Sequence, residues 1–178
     1  MRILILFFLC TQAVFSQKYF TRTGTTEFKA SVDAFEPVAA INNSSTAILD
    51  TQNGKIASLL LIKAFRFRVA LMQEHFNENY MDSDEYPKAT FKGTIRSFNL
   101  NEINENITYK ISGTLTVKGI DKLIETTGNV SRKGEKIVLT SSFSVSPKDF
   151  NIKIPGIVRD KIAQRINIGI HYELSEKK

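Results

Sequence analysis

The chain has 178 residues, 42% of them hydrophobic, and its 24 Lys and Arg against 18 Asp and Glu give a formal net charge of +6. This length corresponds to one ordinary domain that can bury a sizeable core. The basic residues stand singly, without a Lys/Arg run or an interleaved aromatic platform, so we expect no nucleic-acid partner. The positive charge leaves weak attraction to an anionic membrane surface as the expected electrostatic contact.

The first sixteen residues have the pattern of an export signal. Arg2 provides a positive start, residues 3–10 form a short apolar stretch, and Val14-Phe15-Ser16 places small side chains where a signal peptidase requires them. The apolar stretch is too short to span a bilayer, which takes roughly 20 residues. We therefore predict a signal peptide at 1–16, cleaved near Ser16-Gln17, and a periplasmic or secreted protein.

The remaining residues, 17–178, form the single predicted domain. Cys10 is the only cysteine in the sequence and falls within the signal peptide, so the exported domain contains no disulfide. Such a domain must be held together by burial of apolar side chains.

Apolar and polar residues alternate with a period of two through most of this domain, which predicts β-strands. Asn53-Gly54 is a strong signal for a two-residue hairpin turn between two of them. The alternation is clearest at 88–96 and 107–118, and it is longest at 162–174. The predicted strands, about eight and mostly antiparallel, are 25–32, 47–50, 55–68, 88–96, 107–118, 123–132, 135–146 and 162–174.

One segment, 69–81, has apolar residues at helical spacing and predicts a single helix, with a further short helical turn at 157–161. In Leu59-Leu60-Leu61-Ile62 both parities are apolar, so we expect both faces of that strand to be covered. Packing of Met72, Phe76 and Tyr80 over its outer face is one arrangement, and a homodimer interface is another. A helix across the mouth of a barrel, where it would gate a ligand, is the third.

Long strands with one apolar face close into a barrel, which removes exposed edges. An eight-stranded barrel is either filled by its own side chains or holds one small ligand. Small residues such as Ala30, Ala89 and Gly93 share the inward parity with Phe28 and Phe91. The sequence pattern leaves open whether large neighbours fill the space beside them.

Three segments carry a family resemblance: 72–91 with His75 and Tyr86-Pro87, then 113–119 with Gly-Thr-Leu-Thr-Val-Lys-Gly, and 143–150 ending in Asp149-Phe150. In this order and spacing they resemble the YceI-like family. The resemblance covers most of residues 24–174. It departs from the family pattern at Tyr80-Met81, where an aromatic pair is expected, and at 35–43.

The resemblance implies an all-β fold, an extended eight-stranded antiparallel β-barrel of lipocalin-like shape with one short helix between strands. It also implies an exported protein that binds a long isoprenoid or other amphiphilic lipid in the barrel lumen, without catalysis and without a cofactor.

Catalytic and metal-binding motifs are missing from the sequence. His75 and His171 are the only histidines, and there is no Gly-rich phosphate loop, Gly-x-Ser-x-Gly elbow or His-Glu-x-x-His pair. Glu74, His75 and Glu78 share a helical face, but such a face is better interpreted as solvated than as a metal site. We expect no catalytic residues and no metal.

The predicted ligand-contacting lumen residues are those of inward parity: Phe28, Ala89, Phe91, Tyr109, Ile111, Gly113, Leu115, Leu139, Phe143, Ile166, Ile168, Ile170 and Tyr172. Tyr109, Tyr172 or a lysine at the mouth would suit a polar headgroup. Besides a lipid carrier, two functions stay open. One is a stress-related structural or interaction domain with a filled core, and the other is a small outer-membrane barrel with its apolar face outward.

Overall fold

The structure is a computed structural model that describes residues 17–32 and 37–177. The predicted signal peptide at 1–16 lies outside the described residues. The strands are β1 Lys18–Ser31, β2 Ala39–Asp50, β3 Lys55–Leu61, β4 Arg66–Phe67, β5 Lys88–Ile95, β6 Ile107–Val117, β7 Ile120–Lys133, β8 Lys136–Val145 and β9 Ile162–Glu176.

Eight of these strands form a closed antiparallel barrel, as the sequence predicts. They run in the order β1, β9, β8, β7, β6, β5, β3 and β2, and β2 pairs again with β1 to close the ring. The two-residue β4 is an antiparallel addition beside the start of β2. Closure gives each long strand two neighbours, which satisfies backbone groups that an open sheet would leave at its edges.

The alternation along each strand places apolar residues inside because successive side chains point to opposite faces. In β6, Tyr109, Ile111 and Leu115 are buried, whereas Lys110 between them is exposed. In β8, Ile137 and Leu139 point inward and are fully buried, whereas Lys136, the first residue of the strand, points outward and is exposed.

The predicted strand 55–68 is shorter than expected. It ends at Leu61, and the chain continues as a 3₁₀ turn, Ile62–Ala64, before β4. Leu59 and Leu61 point outward and are 38% and 53% exposed, whereas Ile62 turns inward and is 2% exposed. The expectation that both faces of this strand are covered is therefore wrong. The apolar run contains outward residues that stay exposed, Leu59 and Leu61, and an inward residue that is buried, Ile62.

The hairpin between β2 and β3 occurs at the predicted place but has a four-residue loop instead of two residues. Asp50 pairs with Lys55, and Gly54, at φ 68°, donates its N–H to the Asp50 carbonyl over 2.9 Å. Asn53 closes the loop, because its Oδ1 accepts the Lys55 N–H at 2.9 Å and its Nδ2 donates to Asp50 Oδ2 at 3.1 Å.

The predicted helix 69–81 is present as α1, Ala70–His75, followed by a π-helical turn, Phe76–Tyr80. Two 3₁₀ turns, Pro147–Phe150 and Gly156–Lys161, lie between β8 and β9, and the second corresponds to the predicted turn at 157–161. Within residues 17–32 and 37–177, no helix has the length and apolar character needed to cross a membrane.

The core is concentrated at one end of the barrel, which we call the closed end. The loop between β5 and β6 covers this end, and its Ile103 is completely buried. Arg132 in β7 donates its backbone N–H to the Ile103 carbonyl at 2.7 Å, which holds the loop in place. Ile103 belongs to one buried cluster, against which Phe98 and Leu100 of the same loop pack, and whose members include Tyr19, Leu49, Ile95, Tyr109, Val130, Ile137 and Leu174.

Candidate functional site

The other half of the barrel is hollow. It encloses a cavity of about 530 Å³ that begins above the closed end and reaches the opposite end, which we call the mouth. Its wall consists mainly of apolar side chains from β1, β3, β5, β6, β7, β8 and β9. The long strands explain this arrangement, because they extend well beyond the residues that the closed-end core needs.

The bottom of the cavity is apolar with one small polar cluster. Ile111 and Leu139 belong both to the closed-end core and to the cavity wall, so they mark the boundary between the two. Thr26 Oγ1 lies 2.8 Å from Ser45 Oγ and 3.3 Å from the Tyr172 hydroxyl. These three groups hydrogen-bond to one another, so they can sit below an apolar ligand without a polar partner from it.

The mouth is covered on the β1 side by four phenylalanines. Phe28 of β1 stacks on Phe76 at 5.3 Å between ring centroids and meets the edges of Phe65 at 5.2 Å and Phe67 at 5.7 Å. Phe76 is also 5.1 Å from Phe67. These distances are those of favourable aromatic pairs, so the cluster ties the helical segment to the barrel wall.

The contacts of the phenylalanine cluster hold the helical segment on the inner side of the wall. Met72, Phe76 and Tyr80 all line the cavity, so they do not cover the outer face of Leu59 and Leu61. The packing over the outer wall that the sequence suggested is therefore wrong, and the segment is a lid across part of the mouth. At the far end of the lid, Lys118 pairs with Asp82 at 2.5 Å and donates to the Tyr80 carbonyl at 3.4 Å.

All but two of the sequence-predicted lumen residues line this one cavity. The exceptions are Tyr109 and Gly113. Those that the structure brings together are Phe28, Ala89, Phe91, Ile111, Leu115, Leu139, Phe143, Ile166, Ile168, Ile170 and Tyr172.

Tyr109 and Gly113 have the predicted inward parity but do not reach the cavity. Tyr109 is in the closed-end core, 7% exposed, with its ring 5.7 Å from that of Phe98. Gly113 pairs directly with Gly93, and a Cβ added to it would lie 2.7 Å from Phe91 Cζ. The Phe91 ring therefore covers the glycine pair, and Phe91 forms the cavity surface at this point.

Several cavity residues come from segments that strand periodicity does not identify. His75 comes from the lid, Phe65 and Phe67 come from the irregular segment at β4 that precedes it, and Phe150 and Lys161 come from the two 3₁₀ turns. The helical spacing of 69–81 marks that segment as amphipathic, but its position over the mouth depends on contacts far apart in sequence.

Among the side chains that line the cavity in the described residues, the basic ones are His75 and Lys161, and both lie near the mouth. Within residues 17–32 and 37–177 there is no group of three or more His, Cys, Asp or Glu residues placed to hold a metal ion. Two pKa shifts occur away from the cavity. A hydrogen bond and the charge of Glu85 raise the pKa of Tyr86, and the hydrogen bond and charge of Lys136 lower the pKa of Glu173.

The sequence matches the YceI-like domain family over residues 11–174. No curated protein matches it. Solved structures with the same fold include a polyisoprenoid binding domain from Saccharophagus degradans, at 13% identity and a TM-score of 0.76, with 90% of this chain and 98% of that chain covered.

Two further structures are similar at low sequence identity. BcnA of Burkholderia cenocepacia is 17% identical with a TM-score of 0.70, and the match covers 85% of this chain and 96% of BcnA. The YceI protein of Campylobacter jejuni is 19% identical with a TM-score of 0.64, covering 81% and 87% of the two chains. At these identities the likeness establishes the barrel fold.

Proposed function

This chain belongs to the YceI-like family, and on that premise we propose that it is an exported, non-enzymatic protein that holds a long isoprenoid or other amphiphilic lipid in its lumen, for carriage or storage. The observation that carries the proposal is the hollow half of the barrel. Its volume of about 530 Å³ lies within the range of roughly 300–1,000 Å³ that is typical of small-molecule sites.

The lining suits a hydrocarbon tail. Ile166, Ile168 and Ile170 on β9 face Phe91 and Leu115 on the opposite side of the barrel wall, and all five line the cavity. Burial of each methylene group contributes about 0.8 kcal/mol, so a tail of ten or more carbons binds without a charged pocket. The ligand-contacting residues we propose are the predicted lumen residues that line the cavity.

The description of the Saccharophagus domain as a polyisoprenoid binding domain supports the choice of lipid class. Export rests on the sequence of residues 1–16. A filled-core interaction domain is the rival function, and the open volume above Ile111 and Leu139 weighs against it because native cores are packed with few voids larger than a water molecule.

The residues at the mouth support the further proposal that the protein makes weak contact with a membrane surface. Large apolar side chains that are exposed in the described residues all lie in the half of the barrel toward the mouth. Ile157, in the turn between β8 and β9, is 91% exposed and has Lys153, Arg159 and Lys161 nearby in sequence. Apolar tips among basic side chains are the features that bind an anionic bilayer surface. The full set is Val32, Ile41, Leu59, Leu61, Leu71, Leu123 and Ile157.

Lipid binding can be tested with two substitutions on adjacent strands, one at a residue that points into the lumen and one at a residue that points outward. Ala89 in β5 is 8% exposed and lines the cavity, whereas Leu59 in β3 points outward. Ala89→Phe fills part of the lumen and should reduce binding of a C20 prenyl alcohol at least tenfold. Leu59→Phe should leave binding unchanged, because its side chain stays outside the wall.

Binding is measured by native mass spectrometry of delipidated protein titrated with the prenyl alcohol, and far-ultraviolet circular dichroism checks that both variants keep their strands. Equal binding by the wild type and Ala89→Phe would place the ligand outside the lumen. A wild-type protein that binds no prenyl alcohol and carries no lipid from its host would support the filled-core function.

A further inference from the structure

The barrel wall contains a gap between β7 and β8 in its hollow half. These two strands pair only from Gly128 with Ser141 to Lys133 with Lys136, at the closed end. Toward the mouth, β7 continues to pair with β6 as far as Ile120, and β8 continues to pair with β9 as far as Val145. The two strands therefore keep their outer neighbours but separate from each other, and the wall opens as a wedge.

Side chains replace the backbone ladder where the wedge begins. Thr126 Oγ1 donates to the Ser142 carbonyl at 3.2 Å, and Ser141 Oγ donates to the Thr127 carbonyl at 2.7 Å. In a continuous antiparallel ladder these carbonyls would accept backbone N–H groups from the facing strand. The hydroxyl groups end the ladder without leaving its last carbonyls unpaired.

The gap lies directly beside the lumen. A second cavity of about 450 Å³ lies in the wedge. Ile124, Thr126, Phe143 and Val145 line both this cavity and the lumen. Phe150, from the 3₁₀ turn after β8, also borders both cavities and is 1% exposed, so its ring stands between the lumen and the outside.

The gap is a second possible way into the lumen, apart from the mouth. At the mouth, Phe28, Phe65, Phe67 and Phe76 contact one another and the lid is tied to the barrel at Lys118 and Asp82. At the gap, the strand residues Ile124, Phe143 and Val145 border both cavities, and Phe150 is the large side chain there that comes from a turn outside the strands. Movement of the Phe150 ring leaves the strand ladders of the wall intact, whereas movement of the lid breaks the phenylalanine cluster and the Lys118–Asp82 ion pair.

The outer part of the gap is polar. Lys122 and Arg165 bring two positive charges, and Glu125 and Asp149 bring two negative charges. Arg165 is held across the edge of β8 because its Nη2 donates to the Ser144 carbonyl at 2.7 Å. Equal numbers of both signs favour a neutral head that donates and accepts hydrogen bonds over a strongly anionic one.

We propose that the gap between β7 and β8 is a lateral portal, through which the tail of the lipid enters the lumen past Phe150 and in which a neutral, hydroxyl-bearing head comes to rest. This inference rests on the proposed function, since it names the route and the head of the same ligand.

The first test compares the two openings with the same substitution. Phe150→Leu removes an aromatic ring at the portal, and Phe76→Leu removes one from the lid. We expect Phe150→Leu to speed uptake of a C20 prenyl alcohol at least fivefold more than Phe76→Leu does, followed as the bound fraction over time by native mass spectrometry. Faster uptake in Phe76→Leu alone would overturn the portal and identify the mouth as the route.

The second test closes the portal reversibly. If the ladder continued in register, Glu125 would face Ser144, so cysteines at these positions can join the strands only if the gap narrows to less than about 7 Å between Cα atoms. In a Cys10→Ser background, oxidised Glu125→Cys/Ser144→Cys should take up the alcohol at least tenfold more slowly than its reduced form. The control pair Ser131→Cys/Val138→Cys, in the intact ladder, should show no such difference.

These measurements separate the inference from the proposed function. A wild-type protein that takes up no prenyl alcohol overturns both. Uptake that is equally fast with the portal cross-linked overturns the portal alone. If the cysteine pair does not cross-link, the comparison of Phe150→Leu with Phe76→Leu decides whether the lipid enters through the portal or the mouth.

The head is tested with two probes of equal tail length, a C20 prenyl alcohol and its monophosphate. We expect the wild type to bind the alcohol at least as tightly as the phosphate. The double variant Glu125→Gln/Asp149→Asn removes both acidic groups and should increase relative binding of the phosphate at least fivefold. Stronger binding of the phosphate by the wild type would overturn the assignment of a neutral head.

Discussion

The two halves of this barrel are built from the same strands but are filled differently. Ile137 in β8 is fully buried in the closed-end core, whereas Ile168 on the adjacent β9 lines the open cavity. Both residues have inward parity, and the two strands pair in one uninterrupted register from Ile137 to Val145. The difference comes from the two ends, because the β5–β6 loop inserts Ile103, Phe98 and Leu100 into one of them, while the lid spans part of the other without filling it.

The direction in which side chains point and the packing of the interior are two separate properties of this barrel. Alternation decides which face of a strand is inside, because side chains point to opposite faces in turn. Whether that inside is packed depends on what the connecting segments insert. The packed half supplies stability through close contacts, and the hollow half retains space at the expense of those contacts.

The largest expected effect is a difference in unfolding free energy between the same substitution, Ile to Ala, made in the packed half and in the hollow half. Ile137→Ala should lower the free energy of unfolding by roughly 2–5 kcal/mol, because it leaves a new cavity in a packed core. Ile168→Ala should lower it by about 1 kcal/mol or less, because the space beside it is already open. Urea unfolding of ligand-free protein measures both. Equal losses would contradict the division into a packed and a hollow half.

A smaller effect contrasts the outer surfaces of the two ends. Arg159 lies at the mouth and Lys55 at the closed end. Arg159→Gln should weaken binding to vesicles that contain anionic lipid roughly fivefold, since a basic residue near such a surface contributes about 1 kcal/mol. Lys55→Gln should have no effect. Sedimentation with vesicles provides the measurement, and equal weakening by both substitutions would show that net charge, not the mouth, controls binding.

The smallest effect concerns an exposed ion pair at the closed end. Lys136 donates to Glu173 Oε2 at 3.0 Å, and its hydrogen bond and charge lower the pKa of Glu173 below the ordinary value of 4.5. A lowered pKa in the folded state means that this stabilisation is present above pH 4.5 and is lost as the pH falls through the folded-state pKa.

Glu173→Gln should therefore lower Tm slightly at pH 7, and the difference from the wild type should shrink below pH 4.5. Thermal unfolding at a series of pH values follows the change, with Lys136→Gln as the partner control that should behave alike. A difference that persists unchanged at pH 3 would mean that the charge of Glu173 is not the cause.

Much of the fold follows from local patterns in the sequence, and the errors arise where distant segments meet. The run Leu59-Leu60-Leu61-Ile62 suggests a strand with both faces covered, yet Leu59 and Leu61 are exposed because the lid packs onto Phe28 inside the mouth and leaves the outer wall uncovered. Tyr109 has the parity of a lumen residue, but the β5–β6 loop places Phe98 against it and makes it part of the core. Neither contact can be predicted from the hydrophobic periodicity of the sequence.

The sequence by itself determined that the chain forms long antiparallel strands, which side chains of each strand point inward and that one helical segment interrupts them. It could do so because these properties depend on residues two to four positions apart. Only the tertiary structure decided how far the interior is filled, that the helical segment is a lid and that β7 and β8 separate toward the mouth. Those features depend on side-chain volumes and contacts between segments that are distant in sequence, and no local pattern specifies them.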